Sequence, residues 1–296
     1  MDFHHIGFAG YGEVGKIFSA ALKNCSGVDS ASAWDLKFAD PGEADAQRAH
    51  ATTQGIVPQS SMAQLCAASD LVISAVTASN TLAVAEEASR HLRRGCFFLD
   101  LNSASPGTKR EAGSLIDSAG GHYVEAGVMT SVPPYGIRVP MLLGGARAGE
   151  LAAVLAGWGM DAKAVSQQLG VASAIKMCRS VMIKGLEALV IESYATARAY
   201  GVEDHVLPTL AETFPSIDWQ RQGGYFFSRV VQHGKRRAEE MREAANTVHE
   251  AGFEPFMAAA IAQKQQWVAD EAAAGRFAGL GPDAIWQDYA DRLLKG

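Results

Sequence analysis

Residues 4–15 read HHIGFAGYGEVG, and this stretch decides the fold. Residues 4–9 form a short apolar run with the character of a buried strand. It feeds into Gly10-Tyr11-Gly12-Glu13-Val14-Gly15, a G-x-G-x-x-G turn. Residues 13–23 then place Val14, Ile17, Phe18, Ala21 and Leu22 on one helical face. Each glycine has a physical task in such a turn. The first permits the sharp reversal, the second lets backbone approach a pyrophosphate, and the third lets helix pack on strand. The helix N-terminus adds unpaired N–H groups and a partial positive charge. With 30 glycines in 296 residues a chance match is easy, so context carries the argument. Asp35 supplies it, twenty residues beyond Gly15 at the end of a second predicted strand, residues 30–34. A carboxylate there accepts hydrogen bonds from the adenosine ribose and repels a 2′-phosphate. That predicts NAD as cofactor, with NADP left open because Lys37 stands close by.

Outward from this turn, short apolar runs alternate with amphipathic ones. Strands are predicted at residues 55–57, 71–76, 96–99, 121–125, 139–143 and 160–165. Helices are predicted at 45–54 and at 80–93 with Asn80 as cap, and another is opened by Ser105-Pro106. This alternation predicts a parallel sheet covered on both faces. Residues 132–136, VPPYG, fit no regular element. Residues 171–200 contain almost nothing that breaks a helix except Gly185, and Ile175, Met182, Leu186, Leu189, Val190 and Tyr194 recur at helical spacing. A helix of that length spans about 45 Å, enough to join two lobes. Beyond it only helical patterns follow. The expected architecture is a Rossmann-type, doubly wound α/β domain over 1–165. An all-α domain over 166–296 follows, joined by the long interdomain helix.

Composition narrows the function. Hydrophobic residues make up 48% of the chain and charged residues 20%, with a net charge of −6, which excludes a disordered chain. No excess of positive charge is present to meet nucleic acid or an anionic membrane. No apolar run approaches the roughly 18 residues of a membrane span. Cys25, Cys66, Cys96 and Cys178 stand far apart, without metal-ligand spacing, and read as reduced thiols. Asp2, His4 and His5 stand where a signal peptide would carry a basic and then an apolar run, so a cytoplasmic location is expected.

Three further segments carry chemistry. Asp100-Leu101-Asn102-Ser103-Ala104-Ser105-Pro106 has the form D-x-[SN]-[ST]-x-x-P. Glu125-Ala126-Gly127-Val128-Met129-Thr130-Ser131 stands where DAPVSGG would, and residues 170–176, GVASAIK, resemble GxGxxxK with Ala172 at its second glycine. Together with Gly7-Phe8-Ala9-Gly10-Tyr11-Gly12-Glu13-Val14-Gly15, against GFIGLGxMG, they resemble in order and motif the β-hydroxyacid dehydrogenase and 6-phosphogluconate dehydrogenase superfamily. Residues 233–241, HGKRRAEEM, look like the phosphogluconate-dehydrogenase-like C-terminal domain of a separate branch.

The resemblance implies an NAD(P)-dependent dehydrogenase that moves hydride between nicotinamide and a small hydroxy acid, with or without decarboxylation of the product. Lys176 falls on the family's catalytic lysine. A free lysine, with pKa near ~10.4, needs desolvation or a neighbouring cation to act as base at neutral pH. Lys184, two helical turns on, is a candidate for that cation or for a substrate anchor, and a solvent-exposed lysine is the plain alternative. Asn102 is a candidate for cofactor and substrate contacts, with a turn residue ahead of the Ser105 cap as the plain alternative, and Ser103 is a candidate for the substrate. Val76 and Thr77 are candidates for the cofactor, Thr77 either approaching the nicotinamide ribose or ending the strand. Met129-Thr130-Ser131 replaces the Ser-Gly-Gly expected to grip a substrate carboxylate, and Ser180 replaces an asparagine. Lys235-Arg236-Arg237 is either an anion contact or a face paired to Glu239, Glu240 and Glu243. Trp219, Tyr225, Phe226 and Phe227 are core or the lining of a pocket for a bulkier substrate. A homodimer through the helical domain is expected. Two other readings are an imine reductase-like enzyme, which generally lacks a lysine at the catalytic position, and a non-catalytic dinucleotide sensor.

Overall fold

Among residues 2–294, which the computed structural model describes, eight strands form one sheet. They are β1 (His5–Ala9), β2 (Ser30–Trp34), β3 (Val57–Pro58), β4 (Leu71–Ser74), β5 (Phe97–Asp100), β6 (His122–Val128), β7 (Met141–Gly144) and β8 (Ala162–Ser166). Their order is β3-β2-β1-β4-β5-β6-β7-β8. The chain runs outward from β1 to β3 and then returns to place β4 on the other side of β1. The order therefore reverses between β1 and β4, and ligands of such sheets bind at that point, outside the carboxyl ends of the strands.

Helices α1 (Glu13–Leu22), α2 (Ala44–Thr53), α3 (Met62–Ala67), α4 (Thr81–Ser89), α5 (Pro106–Ser118) and α6 (Ala148–Gly157) fill the connections. Phe8, Phe18, Leu22 and Ile73 centre one core cluster, and Val72, Phe98, Leu65 and Ile116 centre another. Ser105 caps α5 by accepting from the Thr108 N–H at 3.2 Å, with Pro106 opening the helix. Asn80 precedes α4 without capping its backbone and donates instead to Thr77 Oγ1 at 2.8 Å. Helix α3 has no counterpart in the pattern reading, although its start is legible. Ser61 accepts from the Gln64 N–H at 3.2 Å, an S-x-x-Q cap.

The sheet is not wholly parallel. β7 pairs antiparallel with β6, and β8 runs parallel to β7. A parallel return needs a crossover, usually a helix. The segment between β6 and β7 carries Pro133, Pro134 and Pro140 and only a short 3-10 turn, Gly136–Arg138, so the chain folds straight back.

Helix α7 (Val171–Tyr200) spans the range its sequence predicts. It is followed by α8 (Glu203–Thr213), α9 (Trp219–Glu250), α10 (Phe256–Ala273) and α11 (Trp286–Leu294). Two compact units result, Met1–Met177 and Cys178–Gly296. They divide within α7, whereas the sequence reading put the boundary near residue 166, because the first turns of α7 are held by β6. The helical unit has its own core, in which Tyr194 meets Trp286 edge-on at 4.9 Å between centroids and Phe227 stacks on Tyr289 at 5.9 Å. Val190 and Tyr194 enter that core, whereas Ile175, Met182 and Leu189 are exposed. None of the described helices is long and apolar enough to cross a membrane.

At the amino edge of the sheet, Asp70 ties β4 to β1. Its carboxylate accepts from the His4 and His5 N–H groups at 3.1 and 3.0 Å and from Arg93 at 2.6 Å. Partial burial raises its pKa, but those hydrogen bonds outweigh burial and the net shift is downward. A depressed folded-state pKa adds stability above the unfolded carboxyl's range, and this is lost as pH falls through the folded value. Asp70→Asn is therefore expected to lower the melting temperature by roughly 2–4 °C at pH 7. The gap to the unaltered chain should close on acidification below the carboxylate range. An equal gap in acid and at neutrality would contradict this account.

Candidate active site

The glycine turn after β1 meets each steric demand stated for it. Gly10 has φ +101°, and a Cβ there would lie 2.4 Å from the Ala75 carbonyl oxygen. A Cβ on Gly15 would lie 2.1 Å from the Gly10 carbonyl oxygen, so helix and strand can be this close only through glycine. Gly12 is different. Nothing lies within 4 Å of a Cβ placed on it, so the backbone there is bare and open to a ligand. It precedes α1, whose first turn has no side-chain cap. Backbone N–H groups at that end are the donors an anionic pyrophosphate would take. Glu13 is exposed, Val14 packs on the core, and the Tyr11 side chain is buried with its hydroxyl 3.2 Å from His50 Nδ1. Burial raises the Tyr11 phenol's pKa and keeps it protonated. Its backbone is what faces the turn.

Asp35 knits β2 to this turn. Oδ2 accepts from the Tyr11 N–H at 2.6 Å, and Oδ1 from the Lys37 N–H at 2.9 Å. Each oxygen retains a second lone pair for a ribose hydroxyl. Lys37, the residue that left the cofactor open, is held by Glu43 at 2.7 Å, and that hydrogen bond raises its pKa. Its charge is thus already matched by a carboxylate. The bare Gly12, the uncapped helix and the two-oxygen acceptor together fit a dinucleotide.

At the carboxyl ends of β4 and β5 the motif residues also have structural partners. Asn102 is buried and works inward: Oδ1 accepts from the Val76 N–H at 2.7 Å, and Nδ2 donates to Ser74 Oγ at 2.9 Å. It staples one strand end to the next. Thr77 is exposed, and Ser103 is half-buried. Beneath them lies a charged group that pattern reading missed. Lys109 and Asp100, 0% and 1% exposed, pair at 3.0 Å. Tyr123 donates to the other Asp100 oxygen at 2.6 Å, and burial and then Asp100 hold its phenol far above the usual range. The Asn102 N–H also donates to Asp100, at 2.8 Å. The loop carrying Asn102 and Ser103 therefore rests on a buried ion pair.

Lys176, in the second turn of α7, reaches that loop: its Nζ donates to Ser103 Oγ at 2.5 Å. The segment replacing Ser-Gly-Gly has one of its amides spent, since the Met129 N–H donates to the Pro140 carbonyl at 2.9 Å. Thr130 is exposed and Ser131 half-buried.

Within the helical unit, Lys184, Arg236 and Arg237 face carboxylates of that unit, and Lys235 is exposed. Lys184 is buried, donates to Ser180 Oγ at 3.2 Å and pairs with Glu240 at 2.9 Å. It is not the solvent-exposed lysine of the plain alternative. Arg237 is buried against Glu187, with Nε to Oε2 at 2.9 Å and a second, shorter contact between Nη2 and Oε1. Gln265 donates to the same carboxylate at 3.3 Å. Arg236 faces Glu240 at 3.8 Å. Trp219 and Phe227 are core, whereas Tyr225 is exposed.

The family described as the NAD binding domain of 6-phosphogluconate dehydrogenase matches residues 5–181. A domain of unknown function, DUF1932, matches residues 197–268. Among solved structures, a conserved hypothetical protein from Sinorhizobium meliloti is 38% identical, covers 98% of this chain and 96% of its own, and has a TM-score of 0.76. The Mycobacterium tuberculosis 3-hydroxyisobutyrate dehydrogenase, solved with L-serine, is 17% identical with a TM-score of 0.65 and covers 99% of each chain. An imine reductase from Myxococcus stipitatus in complex with NADP+ is 19% identical with a TM-score of 0.54, covering 98% of this chain and 99% of its own. These last two share the fold.

Proposed function

The chain belongs to the 6-phosphogluconate dehydrogenase NAD-binding family, and we propose that it is a nicotinamide-dependent dehydrogenase of a small hydroxy acid, with Lys176 as general acid and base. The single observation that carries the chemistry is the 2.5 Å contact between Lys176 Nζ and Ser103 Oγ at the carboxyl end of β5. It sets an amine at the sheet edge where ligands of this fold bind. Gly12, the first turn of α1 and Asp35 would hold the dinucleotide, which when bound supplies a two-electron hydride acceptor.

The rest is done by the chain. When a carbinol C–H leaves as hydride, the hydroxyl proton must leave too, and the neutral amine of Lys176 accepts it as the carbonyl forms. In the reverse direction the ammonium returns the proton to the alkoxide oxygen. Ser103 holds the amine in one place and is poised to donate to, or accept from, the same substrate oxygen. Imine reductases share this architecture but generally lack a lysine at the catalytic position, so Lys176 favours the hydroxy acid. Purified protein mixed with NAD and a panel of hydroxy acids and polyols should form NADH with at least one of them. Cofactor reduction by none, together with reduction of cyclic imines at the expense of NADPH, would reverse the assignment.

Cofactor choice follows from Asp35. In Asp35→Ser the ribose loses two carboxylate acceptors, and the charge that repels a 2′-phosphate is gone. NAD should bind about tenfold more weakly, the magnitude of a charge-assisted hydrogen bond, and the gap to NADP should narrow. Dissociation constants from the quenching of tryptophan fluorescence would measure both. A strong NADP preference in the unaltered chain would contradict the role given to Asp35.

A further inference from the structure

We infer that Glu125 is a positioning residue: its buried carboxylate pins the start of α7 to strand β6 and, with Gly127 on the same strand face, sets where the Lys176 amine stands. The inference rests on the proposed role of Lys176 only for its functional meaning. The mount itself is a matter of geometry.

Helix α7 starts without local help. The residue before Val171 is Gly170, with φ +97° and no side chain to cap the helix. Helices leave their first N–H groups unpaired, and a buried helix start needs acceptors from elsewhere. Glu125 supplies them across 45 residues of sequence. Its Oε1 accepts from the Gly170 N–H at 2.7 Å and from the Ala172 N–H at 3.1 Å, and Oε2 lies 3.4 Å from the Ser173 nitrogen. Glu125 is itself fully buried. A carboxylate in that setting is costly unless matched, and the positive end of α7 is what it faces. The sheet is built around it. Its cross-strand partner on β7 is Gly144, where a Cβ would lie 2.5 Å from Glu125 Oε1.

Two residues further along β6, hence on the same face, Gly127 gives the helix its clearance. A Cβ there would stand 2.9 Å from the Ala172 carbonyl oxygen and 3.4 Å from Lys176 Cβ. Glu125 thus holds the first turn in register, and Gly127 lets the second turn come down onto the strand. From that seat the Lys176 side chain meets Ser103. A lysine on a helix that slid or rotated would miss the loop.

The test reads the amine directly and needs no substrate. In the full chain, Lys176 is followed by its ζ-ammonium NMR signal and by its rate of labelling with an amine-reactive ester, with Lys16 on α1 as internal control. Glu125→Gln preserves volume and one acceptor but removes the charge. Gly127→Ala leaves the cap in place and closes the clearance. Both should shift the Lys176 resonance. Both should also speed its labelling by about fivefold or more, the equilibrium factor of one hydrogen bond, with Lys16 labelling and NAD affinity unchanged. Glu125→Ala should go further than Glu125→Gln, so the conservative variant partly rescues. Exchange of the Gly170 and Ala172 amides should be slow in the unaltered chain and faster in Glu125→Gln. Unchanged Lys176 labelling and resonance in folded Glu125→Gln and Gly127→Ala would overturn the inference. If neither variant folds, fast exchange of those two amides in the unaltered chain overturns it, and slow exchange supports it. Failure of the hydroxy-acid panel would remove the proposed reaction while leaving these results intact, so the two failures are distinguishable.

Discussion

Lys176→Ala is expected to abolish NADH formation on any hydroxy acid the chain oxidises while sparing the dinucleotide. A positioned acid/base contributes typically ~10²–10⁴-fold to rate, and kcat should fall by that factor. Dissociation constants for NAD should stay within about twofold, because the cofactor's proposed seat depends on Gly12, α1 and Asp35. A loss confined to kcat, with KM nearly constant, would place Lys176 in the transition state rather than in ground-state binding. Lys176→Arg is an informative companion. It preserves charge and length, but the guanidinium does not give up its proton at any pH the protein survives, so activity should not return. Turnover unaltered in Lys176→Ala would remove the lysine from the mechanism and leave a dinucleotide-binding protein whose chemistry lies elsewhere.

The largest effect on stability should come from Lys109→Met. Lys109 and Asp100 lie within a fully buried contact beneath the Asn102–Ser103 loop. Removing one partner of a buried ion pair leaves the other charge unmatched and typically costs about 3–5 kcal/mol. The midpoint of urea unfolding, followed by a signal from the first unit, should drop accordingly. Adding Asp100→Asn should recover part of the loss, because the orphaned charge goes with it, while the amide oxygen can still accept from the Asn102 N–H and the amide nitrogen can donate to the Tyr123 hydroxyl oxygen. If the double substitution is no better than Lys109→Met alone, charge pairing is not what holds this loop. Because Ser103 is on that loop, the Lys176–Ser103 contact should loosen as well, and any activity should fall further than the loss of folded protein explains.

Both predictions mark where pattern reading stops. The motif D-x-[SN]-[ST]-x-x-P points to Asn102 as a ligand contact, and its amide also joins Val76 to Ser74, but nothing in the motif marks Lys109. A lysine four residues into α5 looks like any helix lysine until Asp100 and Tyr123 are seen around it. Glu125 offered more. A single carboxylate in the strand-like run HYVEAGV sits where an apolar residue is the rule, and the absence of a Ser, Thr or Asp before Val171 leaves a helix start in want of a cap. The two oddities answer each other, but only the fold brings them together.

Local sequence sufficed for strand β1, the glycine turn, the span of α7 and the place of Asp35. In each, the physical demand falls on residues adjacent in the chain or repeating at a helical or strand period. Tertiary structure alone decided the antiparallel return of β7, the pairing of Lys184 with Glu240 and Arg237 with Glu187, and the meeting of Lys176 with Ser103 across 73 residues. The cost of a buried charge and the reach of a hydrogen bond depend on neighbours in space, and for these groups the neighbours come from distant parts of the chain.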